Sequence, residues 1–167
     1  MPAPEGVQGA GAPLDASSCE IPEPGFRPGR ILMRFDPATF TWEGVPPQAY
    51  KPIRGTDLAW KGVTRHTLIG SANVPARFHL RYFEVAPGGY TSLERHRHVH
   101  AVVVVRGRGV VRVGAEHFEV RPLDVVYVPP GAPHQFLNPD PREPFGFFCP
   151  VDAERDAPQP VAGVSRA

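Results

Sequence analysis

The segment "LERHRHVHAVVVV" places one carboxylate and three imidazoles at alternate positions, namely Glu94, His96, His98 and His100. Because side chains alternate between the two faces of a β-strand, this spacing favours one common face. A further histidine, His134, lies in the separate segment "VPPGAPHQFLN". Neutral imidazoles and a carboxylate oxygen suit first-row divalent metals, so the sequence predicts a site for one such ion. These ligand types do not distinguish iron, manganese, nickel, zinc and cobalt.

Strand geometry limits which of these residues can bind the same ion. On a straight strand, residues 94 and 100 would lie about 20 Å apart, at roughly 3.3 Å per residue. Ligand atoms lie only about 2 Å from a metal. We therefore expect the chain to bend between His96 and His100, with His98 at the bend, where it would face solvent or support a ligand. An alternative ligand set of His96, His98 and His134 stays open.

The elements that must position these residues are short and extended. Between residues 64 and 151 the segments are rich in Val, Phe and Tyr, with Gly, Pro or Asn between them, as is typical of strands. They read "TRHTLIG", "RFHLRYFEV", "HAVVVVRG", "GVVRVG", "EHFEVRP", "DVVYVPP", "HQFLN" and "FGFFCPV". No useful run of apolar residues at helical spacing occurs there. The sequence predicts an all-β sandwich or barrel of about eight strands.

The first histidine segment resembles the first motif of the cupin family, which can be written G-x5-H-x-H-x3-E-x6-G. Aligned on Gly88 and Gly107, this chain keeps every spacing. Glu94 stands where the motif has its first histidine, and His100 stands where it has its glutamate. The exchange preserves a set of three histidines and one carboxylate.

The second histidine segment resembles the second cupin motif, G-x5-P-x-G-x2-H-x3-N. Pro129, Gly131, His134 and Asn138 occupy its fixed positions, and Leu123 replaces the leading glycine. The resemblance is to small single-domain bacterial proteins of the cupin-2 type. It implies a double-stranded β-helix, the jelly-roll or cupin barrel, over roughly residues 64–151.

The resemblance also implies one metal held in the barrel by Glu94, His96, His100 and His134. Such a site fits a divalent-metal enzyme acting on a small oxygen-rich metabolite by isomerase, lyase or dioxygenase chemistry. One group within the family, the methylsulfurylases of methylthio-sugar phosphate salvage, uses a cysteine beside the metal, and Cys149 makes this group an option. The alternative is a non-catalytic module that binds or senses a small ligand, because the fold alone does not determine a reaction.

Several residues outside the ligand set are candidates for the chemistry of the barrel. Cys149 lies on the predicted last strand and would be a nucleophile or an extra ligand if it points inward. The alternative role is a small apolar filler of the core. Tyr82 is a candidate acid or base, and Phe136 and Phe147 would form the apolar wall of the pocket.

The remainder of the chain divides by composition. Residues 1–30 are rich in Pro and Gly and are predicted to be loose. Residues 31–63 form an irregular aromatic arm that packs on the barrel or on a second subunit, with one short helix starting at Asp36-Pro37. We assign residues 64–152 to the barrel and residues 153–167 to a C-terminal tail.

Charge and cysteine usage exclude some partners. The 18 basic and 17 acidic residues nearly cancel, which argues against nucleic acid or an anionic membrane as a partner. No membrane-spanning apolar run and no signal-peptide pattern is found. The distant pair Cys19 and Cys149 favours a reduced, cytoplasmic protein. We expect a small-molecule ligand or substrate and a homodimer, with the arm as the exchanged element.

Overall fold

The computed structural model describes residues 31–51, 59–70 and 74–161. Within these ranges the chain forms strands and turns and no helix, which confirms the all-β prediction. The strands are β1 Phe35–Asp36, β2 Thr41–Trp42, β3 Gln48–Ala49, β4 Lys61–Ile69, β5 Phe78–Tyr90, β6 Glu94–Arg95, β7 His100–Arg106, β8 Gly109–Val113, β9 Glu116–Val120, β10 Val125–Val128, β11 His134–Leu137, β12 Phe145–Asp152 and β13 Gln159–Pro160. The described ranges contain no helix that is long and apolar enough to cross a membrane.

The strands pair antiparallel throughout and form the predicted jelly-roll barrel. β1 and β2 make a separate hairpin, and the other eleven strands belong to one curled sheet. One layer has the order β10, β7, β12, β5, β4, β3, and the other has the order β9, β8, β11, β6, β13. The layers are joined where β11 pairs with β5, through Leu137 and Tyr90.

The core lies inside the curled sheet and follows the two-residue period of its strands. On β7, His100, Val102 and Val104 are all buried, so the histidine continues the inward apolar face. On β12, Phe147 and Cys149 occupy equivalent inward positions. The same alternation that builds the core therefore carries polar and reactive side chains into the barrel.

The described part of the arm packs on its own barrel. The ring of Trp42 lies 5.0 Å from that of Tyr82 and 5.7 Å from that of Phe148, measured between centroids. Tyr50 is buried, and its ring lies 5.7 Å from that of Phe83 on β5. Of the two positions predicted for the arm, this arrangement supports the barrel of the same chain.

The helix predicted at Asp36-Pro37 was wrong, because Asp36 starts a turn between β1 and β2. Its carboxylate accepts hydrogen bonds from the Ala38 amide at 3.0 Å and from the Thr39 hydroxyl at 2.7 Å. An aspartate that satisfies amides two or three residues ahead serves a turn as well as a helix N-terminus. The predictions for residues 1–30 and for Cys19 lie outside the described residues.

Each of the eight predicted strand segments contains an observed strand, although β4 and β5 extend several residues beyond theirs. β4 begins at Lys61, three residues before the predicted segment, and β5 continues past Val85 to Tyr90. Residues 31–63 and 153–161 contribute only short strands apart from the start of β4. The barrel that positions the site is therefore built from the segments whose patterns were strongest.

Candidate metal centre

Three buried histidines meet inside the barrel. His96, His100 and His134 each offer a ring nitrogen, and these nitrogens all lie within 4.8 Å of one another. His100 begins β7 and His134 begins β11, while His96 follows β6. β11 pairs with β6 through His134 and Glu94, which brings the two sequence motifs together.

The predicted bend between His96 and His100 is present. β6 ends at Arg95 and the chain bends at residues 97 and 98 before β7 begins. As a result, Nε2 of His96 and Nε2 of His100 are 2.6 Å apart. This short separation explains how two residues four positions apart can face a common ion.

The outer nitrogens of the triad are held by other groups. Nδ1 of His96 lies 2.9 Å from the carbonyl oxygen of His98, and Nδ1 of His134 lies 2.9 Å from that of Ala132. A carbonyl only accepts, so Nδ1 of each ring carries the proton and Nε2 keeps its lone pair when the ring is neutral. Metal-binding histidines are commonly oriented by such contacts.

Burial keeps the triad in the form that binds metals. Removal from water, reinforced by His134 and His98, lowers the pKa of His96 to about 4. Burial also lowers the pKa of His100 and of His134. Uncharged imidazoles are the ligand form at neutral pH. Three buried neutral imidazoles with oriented rings therefore fit a first-row divalent metal.

His98 lies beside the triad and belongs to a second group of metal-binding type. Its Nδ1 lies 2.8 Å from Oδ1 of Asp156, and its ring stacks on that of His96 at 3.6 Å between centroids. Ligand atoms of His96, His98 and Asp156 also lie within 4.8 Å of one another. The set of His96, His98 and His134, which the sequence left open, is not among the compact groups of the described residues.

Glu94 is buried next to the triad but is not one of its three members. Its Oε2 accepts a hydrogen bond from Ser92 Oγ at 2.6 Å and an ion-paired hydrogen bond from Lys51. Burial lowers the pKa of Lys51, and Glu94 opposes that effect. Metal-bound carboxylates are commonly hydrogen-bonded in this way. The role of Glu94 as fourth ligand stays a prediction.

Cys149 lies in a small inner chamber of about 50 Å³ next to the triad. Its Sγ is 2.9 Å from Nδ1 of His100, and Nη2 of Arg81 donates to it at 3.3 Å. Burial raises the pKa of the Cys149 thiol, while Arg81 acts to lower it. Phe136 and Phe147 stack at 4.5 Å between centroids and line the same chamber, so they form an apolar wall.

A larger outer cavity of about 410 Å³ opens beside the same histidines. Its wall contains a group of basic side chains, Lys51, Arg65, Arg81 and Arg155. It also contains Glu94, His96, His98, His100, Asp156 and Pro158. Four residues line both spaces, so the two are adjacent; these residues are Lys51, Arg81, Glu94 and His100. The sequence interpretation did not include Lys51, Arg65 and Arg155 in the site.

Tyr82 lies on the face of β5 that points away from the inner chamber and the outer cavity, and it lines neither of them. Its hydroxyl donates to Glu84 at 2.8 Å, and its ring packs against Phe40 and Trp42 of the arm. Burial raises the pKa of Tyr82 further above its usual range. The geometry gives Tyr82 a place in the packing between arm and barrel, outside the two spaces beside the histidine triad.

The comparisons with known proteins agree with this fold. Residues 81–150 match the cupin domain. The chain is 42% identical over 120 residues to 1-methylthio-D-xylulose 5-phosphate methylsulfurylase of Rhodospirillum rubrum, covering 72% of this chain and 74% of that relative. The chain belongs to the cupin family.

Two solved structures place it among the cupin-2 barrel proteins. A cupin 2 conserved barrel domain protein from Rhodopseudomonas palustris is 39% identical, with a TM-score of 0.66, and the match covers 78% of this chain and 87% of that one. A cupin-2 domain protein from Rhodospirillum rubrum is also 39% identical, with a TM-score of 0.64 and coverage of 82% and 84%. The curated relative is an enzyme, whereas these structures establish the barrel.

Proposed function

We propose that this chain is a metal-dependent cupin enzyme that removes the methylthio group from a phosphorylated methylthio ketose. The observation that carries the proposal is the thiol of Cys149, held 2.9 Å from Nδ1 of His100 in the chamber beside the triad. The relative at 42% identity, a methylsulfurylase, supports the same class of substrate. His96, His100 and His134 would hold one divalent transition metal, with Glu94 as the predicted fourth ligand.

Cys149 would act as the nucleophile. Arg81 donates to its sulfur, so its cation would stabilise the thiolate that attacks. The attack forms a sulfur–sulfur bond to the methylthio group and breaks the bond between that sulfur and C1 of the ketose. The electron pair of the broken bond passes to C1 and the adjacent carbonyl oxygen as an enolate, and a proton then adds to C1. The sugar product is the 1-deoxy ketose phosphate.

A bound metal would supply the Lewis acidity that stabilises negative charge on the substrate oxygen. The protein supplies the remaining conditions. Phe136 and Phe147 exclude water from the thiol, and Arg81 places its guanidinium group beside the sulfur. Lys51 is the proton donor that we assign to C1, because it lines both the inner chamber and the outer cavity and its ammonium group carries transferable protons.

A second thiol must restore Cys149. A low-molecular-weight thiol would attack the methyl disulfide on Cys149, leave with the methylthio group as a mixed disulfide and supply the proton that replaces the one given to C1. In sum, one thiol and one methylthio ketose phosphate give one methyl disulfide and one 1-deoxy ketose phosphate. Because this cycle needs reduced thiols, we propose a cytoplasmic location.

The experiment incubates the metal-loaded protein with 1-methylthio-D-xylulose 5-phosphate and glutathione and follows both products by mass spectrometry. We expect turnover in the wild type, none in Cys149→Ser, and a methylthio adduct on Cys149 when glutathione is omitted. Cys149→Ser should keep its metal, since the thiol lies behind the Nδ1 side of His100. Ligand binding without turnover would instead favour the non-catalytic binding module.

A further inference from the structure

Three arginines gather at the outer cavity without acidic partners. Arg65, Arg81 and Arg155 all line it. The ion pairs among the described residues include Lys51 and Arg106 but none of these three side chains. Burial and mutual repulsion lower the pKa of Arg65 and of Arg155. The cavity therefore concentrates positive charge that its own acids do not neutralise.

The acidic residues of the same cavity are engaged elsewhere. Glu94 bonds to Lys51 and Ser92. Asp156 accepts hydrogen bonds from the amides of Arg97 and His98 and contacts the His98 ring. Neither carboxylate lies within ion-pair distance of the three arginines. An anion from solution would be the partner that relieves their repulsion.

The guanidinium groups of Arg65 and Arg155 are held by hydrogen bonds and still have free N–H donors. Arg155 donates through Nη1 to the carbonyl oxygens of Asp152 and Ala153, at 2.9 and 3.3 Å. Arg65 donates through Nε to Gln48 at 3.2 Å. Each guanidinium has five N–H donors, so both keep free ones for a ligand. Anchored guanidinium forks suit the oxygens of a phosphate group.

We propose that Arg65 and Arg155, next to Arg81, bind the phosphate group of the substrate in the outer cavity and thereby direct its opposite end to Cys149. The proposal rests on the proposed function for the identity of the substrate. Arg81 lines both spaces and donates to the thiol, so it lies between the two ends of a ligand that spans them. This arrangement selects phosphorylated over unphosphorylated sugars.

The test measures binding by calorimetry on the metal-loaded protein. The probes are inorganic phosphate, D-xylulose 5-phosphate and D-xylulose. The variants are Arg65→Gln and Arg155→Gln, with Arg121→Gln as the matched control, because Arg121 is exposed and lines a separate cavity. We expect each cavity variant to bind both phosphates about tenfold more weakly or worse, since charge-assisted hydrogen bonds are lost. D-Xylulose binding should not change, and the control should match the wild type.

The outcomes separate this proposal from the proposed function. Unchanged phosphate binding in both cavity variants would overturn the anion site. That result is expected if the metal alone binds the phosphate. Lost phosphate binding without turnover of the methylthio ketose phosphate by the wild type would keep the anion site and reject the reaction. Arg155→Lys keeps the positive charge but lacks the planar, two-pronged guanidinium group. We expect it to bind phosphate more tightly than Arg155→Gln and more weakly than the wild type. Thermal melting of every variant without ligand checks that the barrel is folded.

Discussion

At the scale of single residues, the orientation of the His134 ring is fixed by a backbone contact. Its Nδ1 is held by the Ala132 carbonyl, and the ring therefore presents Nε2. We predict that His134→Ala lowers metal affinity by at least the roughly 10–100-fold seen when a group supporting a ligand is lost. Metal per chain after dialysis measures the effect. His117→Ala is the control, because His117 is exposed on β9. Equal metal in both variants would contradict the site.

Glu94 presents a different question, because its Oε2 already bonds to Lys51 and Ser92. We predict that Glu94→Ala lowers metal content sharply, since the carboxylate completes a set of three imidazoles and one anionic oxygen. The matched variant Ser92→Ala removes the hydroxyl that bonds to Glu94, Lys51 and Tyr50 but leaves the carboxylate in place, so it should keep most of the metal. If Glu94→Ala retains its metal, the residue serves to hold Lys51, and the triad binds the ion without it.

At the scale of elements, the turn between β9 and β10 carries a residue in an unfavourable conformation. Leu123 occupies the position where the cupin motif has glycine, and its φ is 77°, in the left-handed region. Its side chain is 82% exposed, so it gains little from packing. We predict that Leu123→Gly stabilises the fold by about 1 kcal/mol, because glycine adopts this conformation without a clash with Cβ.

The measurement for this turn is the midpoint of chemical unfolding with an unchanged slope. Leu123→Ala is the matched control: it removes the same exposed side chain and keeps Cβ. We expect its stability to stay close to that of the wild type. A gain of equal size in both variants would show that the exposed leucine, and not the backbone conformation, was unfavourable.

The strands of the barrel were predictable because segments of β-branched and aromatic residues, bounded by turn residues, are typical of extended chain. The bend at residues 97 and 98 was predictable because ligand distances require it. The short strands β1, β2, β3, β6 and β13 were not predicted, since two residues carry no periodicity. The end of β5 was missed because Pro87, Gly88 and Gly89 read as a break, yet they continue the strand.

At the scale of the whole molecule, the basic side chains of the outer cavity could not be predicted from the sequence. His96 and His100 are close in sequence, and His134 has a motif spacing, so the histidine triad was accessible from the sequence. Lys51, Arg65 and Arg155 come from the arm, from β4 and from the chain after β12. No local pattern links them. Only the curl of the sheet brings them to one cavity.

The surface of β10 favours a second copy of the chain as a partner. Val125 and Tyr127 alternate onto one face and are 70% and 62% exposed. Within the described ranges β10 pairs only with β7, so its other edge is unpaired. Exposed apolar edge strands are where chains associate. Because Trp42 and Trp60 pack on their own barrel, β10 is a better interface than the exchange of the arm.

We predict that the protein is a homodimer in solution and that Tyr127→Glu dissociates it, because a buried, unpaired carboxylate opposes association. Light scattering at micromolar concentration gives the mass. Phe78→Glu is the control: Phe78 is 46% exposed at the start of β5, so it adds the same charge at an apolar position away from β10. Dissociation by Tyr127→Glu alone assigns the interface to β10. Dissociation by both variants would show that added charge opposes association wherever it is placed, and a monomeric wild type would reject the dimer itself.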